Sequence, residues 1–226
     1  MSTTPGGLWI PKLEFSISAL VLRVKAELHG EAIKGFVTMH EDKYQELPNV
    51  LEKFLNLEPS PAAILKFTKQ YGPVPLLKRP GREGFHQSDE RTWRLWPGDD
   101  WEFTLDQWRE QQTNLREAWR HRSRRKPGPQ TIDLWHEDIL QFHHTKDQIS
   151  LHVCNLERFF KIRLHALPAE RMKQCNRSIE DGCKTPFFVA EHLRQEYCSH
   201  ACASWAQRAI KREWWRRRQE KSKGGK

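Results

Sequence analysis

Apolar positions along this chain recur in short, distinct rhythms. Residues 13–28 read LEFSISALVLRVKAEL and residues 35–39 read GFVTM. Val, Ile and Phe are frequent there, which predicts one or two strands over 13–39. Pro48 opens NVLEKFLNL, a short helical stretch. Ser60 fits an N-cap with Pro61 at the first helical position; AAILKFTKQY continues the helix and Gly72 ends it. Thr104, with Gln107 three positions on, forms a capping-box pattern. In the helix that follows, Leu105, Trp108, Leu115 and Trp119 fall near one face. Ile149, Leu151 and Val153 alternate, as in a short strand. Asn155 fits a second cap, and Leu156, Phe159, Phe160, Leu164 and Leu167 keep helical spacing until Pro168. Between these elements, 73–99 reads as a long loop rich in Pro, Gly and charge. RHRSRRKPGPQ reads as a basic linker closed by Pro127 and Pro129. The expected fold class is α+β, with a mixed helical and strand region over 1–168 and a small C-terminal unit over 169–226.

Length and composition are consistent with that division. The chain has 226 residues, enough for one ordinary domain and a small one. Ten tryptophans is a high number, and most of them read as core because of the area they bury. The net charge of +9 is unevenly spread. From Arg171 to Lys226 there are 14 Lys/Arg against 6 Asp/Glu, so nearly all the excess lies in the last quarter. A basic tail beside an ordered unit points to a polyanion partner, with a merely solubilising tail as the plainer alternative. No apolar stretch approaches the roughly 18 residues of a membrane span, so no membrane partner is expected. The opening MSTTPGGLWIPK lacks a charged leader followed by an apolar run, so the expected compartment is the cytoplasm.

Four of the five cysteines cluster, as Cys175-x7-Cys183-x14-Cys198-x3-Cys202. In a reducing compartment such a cluster binds metal more often than it forms disulfides. Two thiolate pairs separated by enough chain to fold back match a structural zinc site. Gly182 would supply the positive φ that a knuckle needs. Between the pairs, Phe187, Phe188 and Val189 read as a strand and Glu196-Tyr197 as its return, with His192 to Gln195 as the turn. The x3 spacing places Cys202 one turn after Cys198, at the start of a helix whose backbone N–H groups and dipole favour thiolate. Four reduced core cysteines are the competing reading. Cys154 lies outside the constellation and reads as a buried thiol.

The segment from Met172 to Arg218 resembles the CGNR-type zinc fingers of bacterial proteins. The residues that carry the resemblance are Cys175, Cys183, Phe187, Phe188, Tyr197, Cys198, Ser199 and Cys202. The Gly-Asn-Arg itself is absent: Ala203-Ser204-Trp205 stands in its place, and the first cysteine pair is wider. The resemblance implies a treble-clef-like finger holding one structural Zn2+ and followed by a basic helix. It also implies a bacterial-type protein that binds DNA in transcriptional control.

The helix itself supports a nucleic-acid partner. From Arg208 to Lys226 there are nine Lys/Arg and two Asp/Glu. Arg208, Lys211, Arg212, Arg216, Arg217 and Arg218 are candidate phosphate contacts, and Trp215 is a candidate for stacking on a base. Trp205 and Ile210 are expected to face the finger core, and at least one of Trp214 and Trp215 is expected to be exposed. The expected function is therefore binding of nucleic acid, DNA before RNA, in a regulatory role. The N-terminal region would take a protein partner or ligand, and the sequence carries no signal for a particular oligomeric state. The alternative is a zinc-stabilised protein-interaction module or an RNA-binding protein.

Enzyme activity is not expected. The sequence has no P-loop, G-x-G-x-x-G, G-x-S-x-G or H-E-x-x-H, and a thiolate-only zinc has no open position for a reacting water. His136, His143, His144 and His152 invite a second metal site but read more simply as surface histidines. Asp99, Asp100 and Glu102 read as one acidic loop around Trp101.

Overall fold

The structure, a computed structural model, describes residues 14–74, 100–124, 139–144, 148–153 and 156–223. The stretch 75–99, residues 125–130 with Pro127 and Pro129, His136, Cys154 and Asn155 lie outside the described residues; Arg120 to Ser123, read as the start of a basic linker, are instead the last turn of a helix. The chain is mixed helix and strand, with the cysteine cluster and a long helix at its C-terminal end. The described residues fall into two compact units. One lies within Met1–Pro48, Leu65–Leu105 and Ile132–Arg163, the other within Asn49–Ile64, Asp106–Thr131 and Leu164–Lys226.

The first unit is built on a five-stranded sheet. Strands β1 (Glu14–His29) and β2 (Ala32–Glu46) form a long antiparallel hairpin. Its turn places Gly30 at φ 59, a left-handed conformation that glycine adopts without strain. Strand β3 (Asp100–Thr104) pairs with β2, while β4 (Ile139–His144) and β5 (Gln148–Val153) complete the order β3-β2-β1-β5-β4. The pair β1–β5 is parallel and the other pairs are antiparallel.

The expected acidic loop around Trp101 is therefore a strand. Its polar and aromatic residues alternate, so Asp100 and Glu102 are exposed while Trp101 and Phe103 are buried. The two buried rings stack 5.8 Å apart. Gly35 lies opposite Trp101, and a Cβ there would run into the Trp101 ring and the Lys25 carbonyl. His143 and His144 are consecutive residues of β4.

The second unit contains α1 (Val50–Asn56), the first turn of α2 (Pro61–Tyr71), most of α3 (Leu105–Ser123) and everything after α4 (Leu156–Ala166). The Ser60 cap of α2 forms as expected: its hydroxyl accepts from the Ala63 N–H at 3.4 Å. Helix α3 buries Leu105, Trp108, Leu115 and Trp119, the predicted face. Phe54 of α1 meets Trp108 with ring centroids 4.9 Å apart.

The α3 side chains also bond carbonyls at and just after the C-terminal end of α1. Gln112 Nε2 donates to the carbonyls of Phe54 (2.7 Å) and Leu57 (2.9 Å), and Arg116 Nε to that of Leu55 (2.7 Å). Arg122, nearly buried, donates to the Leu167 carbonyl at 3.0 Å. A 3-10 turn (Ala169–Arg171) then leads into β6 (Met172–Gln174), which pairs antiparallel with β7 (Phe187–Val189). Helix α5 (His200–Lys223) ends the described chain.

Candidate metal centre and basic helix

The first ligand, Cys175, follows β6 directly, and its N–H donates to the Pro186 carbonyl at 2.8 Å. Residues 176–182 then form a folded loop. The Gly182 N–H reaches the Ile179 carbonyl (2.8 Å) and the Cys183 N–H the Ser178 carbonyl (3.0 Å). Ser178 Oγ donates to Asp181 Oδ2 (2.9 Å) and accepts from the Asp181 N–H (3.1 Å). Gly182 sits at φ 89, the left-handed turn expected before Cys183. The seven intervening residues are thus a self-bonded loop that returns Cys183 to Cys175.

The second pair comes from the end of a turn-rich segment and the first turn of α5. Here the structure corrects the sequence reading. Glu196-Tyr197 is not a return strand for Phe187–Val189, because β7 pairs with β6 on the N-terminal side of the loop. The intervening residues are held by side chains. Gln195 Oε1 accepts from the Glu191 N–H (2.8 Å), and Gln195 Nε2 donates to the Tyr197 carbonyl (3.0 Å). The Asn176 N–H donates to the Glu196 carbonyl at 3.1 Å, closing this segment onto the first loop. Ser199 caps α5, its Oγ accepting from the Cys202 N–H at 3.4 Å.

The four Sγ atoms lie within 4.8 Å of one another, with Cys183–Cys198 and Cys198–Cys202 at 3.6 Å. A tetrahedral zinc with bonds near 2.3 Å needs sulfurs about 3.8 Å apart, so one ion fits. All four are free thiols, Cys198 half-buried and the other three buried. The Cys198 N–H approaches Cys175 Sγ at 3.5 Å, the backbone donor that a thiolate site calls for.

Electrostatics fit the same use. Burial pushes the Cys183 and Cys175 thiols up. Burial alone would also raise Cys198, but hydrogen bonds from Thr185, Cys202, Ser199 and Cys183 outweigh it and lower the group to about 7. Four thiolates this close cannot all ionise without a cation among them. The donor set is therefore that of a single structural zinc. Among the described residues, no other group of three or more His, Cys, Asp or Glu could share an ion.

The centre is seated on α1 and α3. Asn56 makes two hydrogen bonds to the outer edge of β7: its Nδ2 donates to the Phe187 carbonyl (2.7 Å) and its Oδ1 accepts from the Phe187 N–H (2.9 Å). Trp119 Nε1 donates to the Lys173 carbonyl at 3.1 Å, and its ring meets Phe187 edge-on at 6.4 Å. The Arg120 and Arg116 guanidinium groups lie 5.3 and 5.7 Å from the Phe187 ring centroid. Nothing in the sequence singled out Asn56; a polar residue at the end of a short helix is ordinary until its partner is known.

Helix α5 leaves the centre at Cys202. Arg208, Lys211, Arg212, Arg216, Arg217 and Arg218 are all exposed along it. Arg216 and Arg217 pair with Glu213, the latter at 2.8 Å, and both hold the Glu213 carboxyl below its ordinary range. Trp205 is half-buried under the Arg177 guanidinium, 5.2 Å from its ring centroid. Ile210 does not face the core as expected but is exposed, because the helix has by then outrun the finger. Trp214 and Trp215 are both exposed. Among the described residues, no helix is long and apolar enough to cross a membrane. No family model, no curated protein and no solved structure matches the chain.

Proposed function

We propose that this protein binds nucleic acid through α5, with the zinc centre fixing the helix, and that DNA in a regulatory setting is its target. The observation that carries the reading is the set of six exposed cations around one helix whose first turn supplies a zinc ligand. Neighbouring members of that set can neutralise phosphates and release their counterions. Glu213 is the one acid between Arg208 and Arg218, and its contacts with Arg216 and Arg217 are exposed, so a phosphate can compete for both arginines. The ligand order, with Phe187-Phe188 between the pairs and Tyr197-Cys198-Ser199 before the helix, supports a kinship with CGNR-type fingers. A closed all-thiolate site leaves no position for substrate, so the zinc holds structure and the protein is not an enzyme by virtue of it.

Charge reversal tests this. Arg216, Arg217 and Arg218 changed together to Glu should abolish retention on duplex DNA at moderate salt, with zinc content unchanged. A second triple, Arg208, Lys211 and Arg212 to Glu, should do the same. The parent should lose affinity with rising salt at a slope of about 0.9 per phosphate contacted. Unchanged retention in both triples sinks the reading and leaves the protein-interaction alternative.

A further inference from the structure

The outer half of α5 carries an apolar feature that phosphate binding does not use. Ile210 is 70% exposed, Trp214 51% and Trp215 56%. The two indoles meet at 4.7 Å with their planes 80° apart. The Arg218 guanidinium lies over both, 5.1 Å from the Trp214 centroid and 5.9 Å from that of Trp215. Two large indoles held in water are unfavourable unless something covers them. Their perpendicular planes present ring surface in two directions, and Arg218 leaves each indole half-exposed.

Charge narrows what that cover can be. The segment from Arg208 to Lys226 carries nine Lys/Arg against two Asp/Glu, so a second α5 laid against it would meet like charge at close range. An anionic occupant that also offers flat apolar faces satisfies both features. A duplex offers phosphates, but its base faces are stacked inside. An unpaired strand offers phosphates and open bases together.

Resting on the nucleic-acid reading above, we infer that α5 prefers single-stranded nucleic acid, with Trp214 and Trp215 stacking on unpaired bases while the neighbouring cations hold the phosphates.

The test uses the full-length, zinc-loaded protein and fluorescence anisotropy of labelled oligo(dT), oligo(U) and a mixed-sequence duplex, each about 16 nucleotides long, at one fixed salt. The parent should bind at least one single strand more tightly than the duplex, and the tighter of the two shows whether DNA or RNA is the source. Trp214→Ala with Trp215→Ala should lose about tenfold to a hundredfold on the single strand and at most about twofold on the duplex. Trp214→Phe with Trp215→Phe should recover most of that loss, because a smaller π-face still stacks. A parent that prefers duplex overturns the inference and leaves the nucleic-acid reading standing. So does an alanine pair that weakens duplex and single strand equally. A parent that binds none of the three probes overturns both. Poly-glutamate bound as tightly as the oligonucleotides would overturn the inference in favour of an acidic protein partner.

Discussion

Asn56→Ala is the most informative single change, because it acts on the metal centre without touching a ligand. Among the described residues, strand β7 has β6 on one edge and the Asn56 carboxamide on the Phe187 groups of the other. The carboxamide stands in for the missing neighbour, giving one donor and one acceptor at 2.7 and 2.9 Å. Phe187 is almost fully buried, so alanine leaves its N–H and carbonyl without a partner and nearly out of reach of water. Each orphaned backbone group costs about 1–3 kcal/mol. Asn56 is itself only half-buried, which favours the low end, so the pair should cost about 2–4 kcal/mol. If metal binding and folding of this unit are one equilibrium, the same free energy appears in zinc affinity, as a loss of roughly 30-fold to 1,000-fold. Competition with a chromophoric chelator reads the affinity, and urea unfolding of the zinc-loaded chain reads the stability. An affinity within about twofold of the parent, with the stability loss present, would show that the thiolates fold independently of their seat. No loss in either would refute the hydrogen-bond argument itself.

Three further outcomes are expected. Cys198→Ser should remove stoichiometric zinc and leave the last quarter open to protease, measured by metal content per chain and limited proteolysis; a protected, zinc-loaded variant would exclude Cys198 as a ligand. Gly182→Ala should destabilise the zinc-loaded protein by about 1–2 kcal/mol, since φ is 89 there and the new Cβ would stand 2.9 Å from Arg177 Nη2. Its thermal midpoint checks this. The pH dependence should differ with the metal. In the metal-free fold the Cys183 thiol is raised above its ordinary 9.0, so its contribution is intact below about pH 9 and is lost as pH rises through the raised value. With zinc bound, thiolate is the favoured form and protons compete, so stability falls on acidification, beginning below the ordinary thiol value of 9.0. Thermal scans across about pH 5 to 10 should show the zinc-loaded form losing midpoint steadily towards pH 5, and a zinc-loaded form with no acid loss would refute the assignment.

The ligand set was legible because thiolate spacing is a strong local constraint. Cys175, Cys183, Cys198 and Cys202 converge as their spacing required, and Gly182 carries the positive φ its position implied. The helices with caps and one apolar face, α2 and α3, were equally readable. What escaped was pairing at a distance. Strand β6 is three residues long, too short for any alternation to show, so β7 was assigned the wrong neighbour. In β3 the exposed acids Asp100 and Glu102 flank Trp101, and five residues are too few for the alternation of Trp101 and Phe103 to stand out. Ile210 was placed in the core from its spacing alone, yet burial depends on where the supporting body ends. Asn56 and Trp119 lie 131 and 54 residues from the backbone groups they bond, and no local pattern encodes that.

Because Cys202 is both a ligand and part of α5, the ion acts as a mechanical pivot. The helix continues 21 residues past Cys202 to Lys223, a rigid arm of about 32 Å. A turn of only ~10° about the pivot would sweep its far end through about 5.6 Å, close to one full helical pitch. Bearings at the base of the arm, namely Ser199 at the cap and Arg177 over Trp205, thus govern the aim of groups that they never touch.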